Sequence, residues 1–227
     1  MVATVQPMSG LASTRRVIPL IPRDRFPERL VRCVFGLFMF GLGISMLIDA
    51  ELGAAPWDVF HTGVSELTGI GTGQIIIITG LALLLIWIPL RERPGLGTIL
   101  NAVEIGLVVD FTLPLIPSTD LLIPRLALMF GGIVVIAVGS GFYIGAGLGP
   151  GPRDGLMTGL SKRSVGSYSI STRVARTSVE LTVLAVGIAL GGSIGIGTAA
   201  FTIGIGPLVQ IFLPRLAMQP TVAPTPA

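Results

Sequence analysis

Two aspartates stand in two copies of one pattern. Residues 50–65, AELGAAPWDVFHTGVS, align with residues 146–161, AGLGPGPRDGLMTGLS, at an offset of 96, and agree at eight of 16 positions. The shared order is Leu-Gly-x-x-Pro-x-Asp, followed by Thr-Gly. Glycine permits backbone angles closed to other residues. Proline suits the first position of a helix, where its missing N–H is no loss. An aspartate two residues later accepts bonds from the orphan N–H groups and sits at the positive end of the helix dipole. Each copy therefore reads as a helix start, and the helix at 56–67 is too short to span a bilayer. Two such starts facing one cavity would attract an anionic or polar solute. Taken singly, Asp58 and Asp154 read as caps of interfacial helices; their recurrence raises the shared site. Trp57 and His61 have no counterparts, since Arg153 and Met157 replace them. Trp57 reads as an interface anchor and His61 as an outward-facing group able to titrate.

Charges at membrane depth are costly and usually face a protein interior. Asn101 and Glu104 share one helical face in an apolar stretch, which makes them the leading candidates for a buried polar site. The alternative for Glu104 is a protonated structural side chain bonded to a neighbouring helix. Asp110, nearer the helix end, is expected to reach water. Arg173, Arg176 and Glu180 share a face at i, i+3 and i+7; Glu180 is expected to pair with Arg176 or with a polar group on the third span, and both arginines to reach toward the surface. The candidate solute-contact set is thus Asp58, Asp154, Asn101, Glu104, Arg176 and Glu180. The sequence offers no Ser/His/Asp arrangement and no phosphate-binding loop. One cysteine (Cys33) and one histidine make no zinc cluster and no intrachain disulfide. The expectation is a protein that is not an enzyme, with no cofactor and no metal.

The elements that must carry these residues are membrane spans. Of 227 residues 51% are hydrophobic and 12% charged, against about 25% charged in a soluble domain. Apolar blocks long enough to cross a bilayer fall at 33–50, 73–90, 96–115, 124–146, 172–191 and 196–213. The first block reads as a span, not a cleaved signal, and Gly191–Gly195 as a tight turn. With the N-terminus inside, 14 of the 15 Lys and Arg residues fall on the cytoplasmic side and only Arg125 outside. The outer segments hold Glu51, Asp58, Glu66 and Asp120. Basic residues placed at span ends are topology signals, so the positive balance does not point to nucleic acid. The lipid bilayer is the expected partner, and a homo-oligomer is left open.

A second alignment, 95–114 with 195–214 at an offset of 100, agrees at eight of 20 positions, Gly97-Thr98 with Gly197-Thr198 among them. Each repeat holds three spans, and an odd number reverses direction, so the second repeat enters from the opposite side. The expected fold is all-α and integral to the membrane: about six transmembrane helices as two inverted three-helix repeats, each with a short interfacial or re-entrant helix. The divisions are a flexible basic cytoplasmic tail at 1–32, repeats at 33–115 and 116–214, and a C-terminal tail at 215–227. Gly141-x-x-x-Gly145 and Gly187-x-x-x-Gly191 are expected to pack helices closely. Inverted repeats with Gly/Pro-interrupted segments favour a secondary transporter or permease for a small polar or anionic solute. The alternative is a membrane scaffold or regulator that moves nothing.

The runs GLGISMLIDAELGAAPWDVFHTGVSELTG, RPGLGTILNAVEIGLVVD and GLGPGPRDGLMTGL resemble the YczE/YyaS/YitT family of bacterial multipass membrane proteins. The likeness covers about residues 33–214 and leaves out both tails. It implies a bacterial inner (plasma) membrane protein and supplies no catalytic residues.

Overall fold

A computed structural model describes residues 24–162, 164–165, 168–169 and 171–218. The expected N-terminal tail up to residue 23, the C-terminal tail from 219, and Arg163 lie outside the described residues. The elements are α1 (Phe26–Asp49), α2 (Pro56–Thr68), α3 (Thr72–Leu90), α4 (Leu96–Thr112), α5 (Leu122–Gly145), α6 (Pro152–Ser161), α7 (Thr172–Ala189) and α8 (Ile196–Leu216). A 3-10 turn extends α4, and Ser164–Val165 pairs antiparallel with Tyr168–Ser169 between α6 and α7. Among the described residues five helices are long and apolar enough to cross a membrane: α1, α3, α4 with its 3-10 turn, α5 and α8. The stretch expected to form a further span, 172–191, is helical as α7, but Arg173, Arg176 and Glu180 dilute its apolar character and it does not join the five.

The first helix starts at Phe26, not at residue 33, so residues 26–32 are not part of a tail. Pro27 sits in the first turn, where it fits. Arg29 is buried and donates to the Ala146 carbonyl (2.8 Å) and to Asp24 (2.6 Å). That hydrogen bond holds the Asp24 carboxyl below its ordinary range. Likewise α8 runs on to Leu216, so Arg215 belongs to its last turn instead of a tail, and Arg32 donates to the Leu216 carbonyl (3.1 Å).

The centre is the crossing of α1 and α5. Lipid gives helices no hydrophobic reason to associate, so close packing must hold them. Gly36 lies against Gly139, and Gly43 against Gly132; a Cβ on any of them would strike backbone of the other helix. Leu37, Ile44, Ile105, Val109 and Ile136 fill the space around this seam. As expected, Gly141 and Gly145 are packing sites, pressed by Leu216 and Ala217, and Gly187 lies on Val59 and Phe60 of α2.

Two loops cross to the far half of the chain. The Gly197 N–H donates to the Leu52 carbonyl (2.7 Å), and the Gly97 N–H donates to the Leu148 carbonyl (2.9 Å). Gly53 (φ +102°) and Gly149 (φ +130°) take the left-handed angles that their motif calls for. Thr98 Oγ1 accepts the Gly95 N–H (3.1 Å) and donates to the Pro150 carbonyl (2.7 Å).

The helix pairs α3/α4 and α7/α8 differ. Gly73 and Gly106 bring α3 and α4 into backbone contact. The Gly73 N–H donates to Asp110 Oδ1 (2.8 Å). Asp110, expected to reach only water, thus ties the start of α3 to the end of α4. By contrast α7 packs on α2 and α6 and barely touches α8. Gly206, the match of Gly106 in the sequence alignment, has nothing within 4 Å of its Cβ position. Gly106→Ala is therefore expected to lose about 1–3 kcal/mol through overpacking. Gly206→Ala should stay within about 0.5 kcal/mol or gain slightly by removing a helical glycine. Thermal unfolding of the two variants in detergent separates them.

Candidate functional site

Both short helices begin inside the protein. Pro56, Trp57, Asp58, Val59 and His61 of α2 are buried, while Glu66, Leu67 and Thr68 at its far end are exposed. Pro152, Gly155, Leu156 and Met157 bury the start of α6 in the same way. The Trp87 indole N–H donates to the Pro152 carbonyl (2.9 Å), which fixes the start of α6 against α3. Neither helix simply lies on the surface. Their first turns both line one cavity of about 530 Å³.

The walls come from every part of the bundle. Asp58, Asn101, Asp154, Arg176 and Glu180 all line the cavity, so five of the six expected contact residues are brought together. Glu104 is not: it is half-buried away from the lining, on the side of Cys33. The Asn101 face of α4 meets the cavity, and one turn further the helix has rotated Glu104 off it. Arg176 Nε donates to Glu180 Oε1 (2.9 Å), the expected pair. Apolar wall is supplied by Phe40, Ile76, Leu83, Ile105, Ile136 and Phe201.

Three expectations need correction. His61 does not face outward; it is 0% exposed, and its Nδ1 lies 3.2 Å from Asp58 Oδ1. Trp57 is 7% exposed and lines the cavity, so it is no interface anchor. Asp58 is more than a helix cap, because its carboxylate faces both His61 and the Arg153 guanidinium (3.9 Å). Arg153 in turn lies over the Trp57 ring, 4.8 Å from its centroid, a cation–π arrangement. Asp154 behaves differently from its match: it is exposed and open to the cavity.

Sequence reasoning missed Arg153, Trp57 and Tyr143 as wall residues. The signal for the first two was present. They occupy matched positions at the offset of 96, and their mismatch hid a direct contact. Tyr143 carried no signal, being one more aromatic residue in an apolar helix. Its hydroxyl is buried without a hydrogen-bond partner. Among the described residues no group of three His, Cys, Asp or Glu side chains could hold a metal ion.

A family model, described as a family of unknown function (DUF6198), matches residues 27–214. An uncharacterized protein of Haemophilus influenzae is 35% identical over 189 residues, covering 83% of this chain and 85% of its own length. The uncharacterized membrane protein YczE of Bacillus subtilis is 34% identical, with coverage of 83% and 88%. Its compatriot YyaS, an uncharacterized protein, is 30% identical, with coverage of 79% and 89%. No solved structure matches the chain.

The Asp58–Arg153 contact gives a direct energetic expectation. Arg153→Met leaves Asp58 short of its cation, and Asp58→Asn removes the need for one. A double-mutant cycle read by thermal unfolding should return a coupling of about 1–3 kcal/mol; strictly additive losses would mean that the two groups do not interact.

Proposed function

The chain belongs to the YczE/YyaS family of membrane proteins, and from that premise we propose that it is a secondary transporter for a small polar solute. The observation that carries this reading is the cavity: the first turns of two buried short helices help to line it, and it holds charged side chains within the helix bundle. Sites of this kind, where interrupted helices meet near the midplane, are how transporters hold polar solutes in lipid. A scaffold would be served as well by a dry apolar core.

The same reading takes the chain as two inverted repeats, α1–α4 and α5–α8. Its support is that contacts come in exchanged pairs. Gly36 on Gly139 answers Gly132 on Gly43 at the offset of 96. The Leu52 carbonyl with Gly197 answers the Leu148 carbonyl with Gly97. Packing of α2 on α7 answers packing of α6 on α3. Trp57 and Arg153, matched in sequence, touch each other, as residues beside a two-fold axis must. Under this reading α7 is a sixth crossing. Its Arg176 and Glu180 are tolerated because they pair with each other and face the cavity. The charge distribution puts both termini in the cytoplasm of a bacterial inner membrane. The chain then moves its solute without chemical change.

The exchange fails at one place, and the failure has a direction. The α3/α4 pair is sealed through Gly73, Gly106 and Asp110. Arg173 and Gln210 stand at the matching places in α7 and α8, and those helices diverge. The cavity is then open on the side of the chain termini. In the opposite state α7 closes on α8 while α3 leaves α4. The test is solute flux into vesicles reconstituted with the full chain, over a broad metabolite panel. At least one solute should move about tenfold faster than with an Asp58→Asn/Asn101→Ala double variant. No flux for any solute, or equal flux with the variant, would move the assignment to the scaffold.

A further inference from the structure

Three polar groups converge beside Gly151 on the cavity wall. Measured from where a Cβ of Gly151 would stand, Tyr143 Oη is at 3.1 Å, Asp154 Oδ2 at 3.3 Å and Asn101 Nδ2 at 3.5 Å. The glycine is what keeps this corner open. Its φ of −64° is ordinary, so the backbone does not require a glycine here; the space does.

The charges around the cavity do not balance. Asp58, Asp154 and Glu180 are three carboxylates; Arg153 and Arg176 are two guanidiniums. Glu180 is taken by Arg176, and Asp58 by His61 and Arg153. Arg153 and Arg176 lie near enough to act on Asp154, but each is already engaged elsewhere. Asp154 is therefore the carboxylate left over, open to the cavity. Beside it stands Tyr143, 2% exposed, with a hydroxyl that has no hydrogen-bond partner. A free anion would add to the surplus negative charge.

Resting on the transporter reading above, we infer that the cavity selects a small organic amine, its protonated nitrogen seated between Asp154, Tyr143 and Asn101. An ammonium group has three N–H donors and no acceptor. The corner supplies three acceptors: Asp154 Oδ2, Tyr143 Oη and, after a flip of its side-chain amide, Asn101 Oδ1. The charge of the ammonium balances the surplus carboxylate. The body of the molecule then lies against the apolar wall of Ile105, Ile136 and Phe201, as in most small-molecule sites. Within the pseudo-symmetric frame the site is one-sided. Asp58, the match of Asp154, is already occupied by His61, and Met157 replaces His61 beside Asp154.

Three probes with one ring and different head groups test this on the detergent-purified full chain: phenethylamine, N-acetylphenethylamine and phenylacetate. Isothermal titration should show phenethylamine binding at least about tenfold more tightly than either of the others, the scale of one lost charge-assisted bond. Asp154→Asn should weaken phenethylamine by about tenfold or more, and Tyr143→Phe by a few-fold. Gly151→Ala, whose methyl crowds all three groups, should do the same while eluting as a folded protein. Equal or tighter binding of phenylacetate, no binding of phenethylamine, or an Asp154→Asn variant with unchanged affinity would overturn the inference. Amine binding without flux in vesicles would sink the transporter reading and leave the site standing. Flux of anions alone would do the reverse.

Discussion

Two helices of this protein begin in its interior, and a helix that begins away from water must find partners for its first N–H groups. That constraint accounts for much of the architecture. Pro56 and Pro152 remove one donor each at the first position. The carbonyls of the preceding turns are used as well: Leu52 and Leu148 accept from the starts of α8 and α4, Pro150 from Thr98, and Pro152 from Trp87. The glycines of both motifs are required because only they allow the loop backbone to lie directly on the opposite half. A polar cavity at the junction is the consequence, since the ends of α2 and α6 cannot be covered by lipid.

Features that depend on backbone geometry were legible in the sequence. Gly, Pro and Asp at fixed spacing have few structural uses, so the two helix starts and the turn at Gly191 (φ +95°) could be placed from residue types alone. Five of the six candidate contact residues follow from those starts and from the faces of α4 and α7. Features that depend on which side of a helix meets which neighbour were not legible. Glu104 and Asn101 differ by one turn, and only packing decides that Asn101 faces the cavity. His61 and Trp57 were misjudged because a polar and an aromatic residue near a span end usually face water or headgroups. Here the first two turns of α2 lie inside the bundle and take them with it. The early start of α1 was hidden for a related reason: Arg29 looks like a tail residue until the Ala146 carbonyl is found to receive it.

The two halves share packing rules and differ in tightness, and the difference lies in a few residues. Where α3 has Gly73, α7 has Arg173; where α4 has Asp110, α8 has Gln210. The first pair permits backbone contact closed by a hydrogen bond to a charged group. The second pair makes no such contact, and α7 stays apart from α8. The same asymmetry divides the aspartates, one bound to its own neighbours and one open to the cavity.

The account as a whole stands on matching segments lying on opposite faces of the membrane. In a Cys33→Ser background, single cysteines at Glu66, in the exposed last turn of α2, and at Lys162, just past the end of α6, report this directly. Labelling intact cells with a membrane-impermeant maleimide should modify the cysteine at 66 and spare the one at 162 until the membrane is opened. Equal labelling of both from the outside would contradict the inverted arrangement and, with it, the shared cavity between two opposed helix starts.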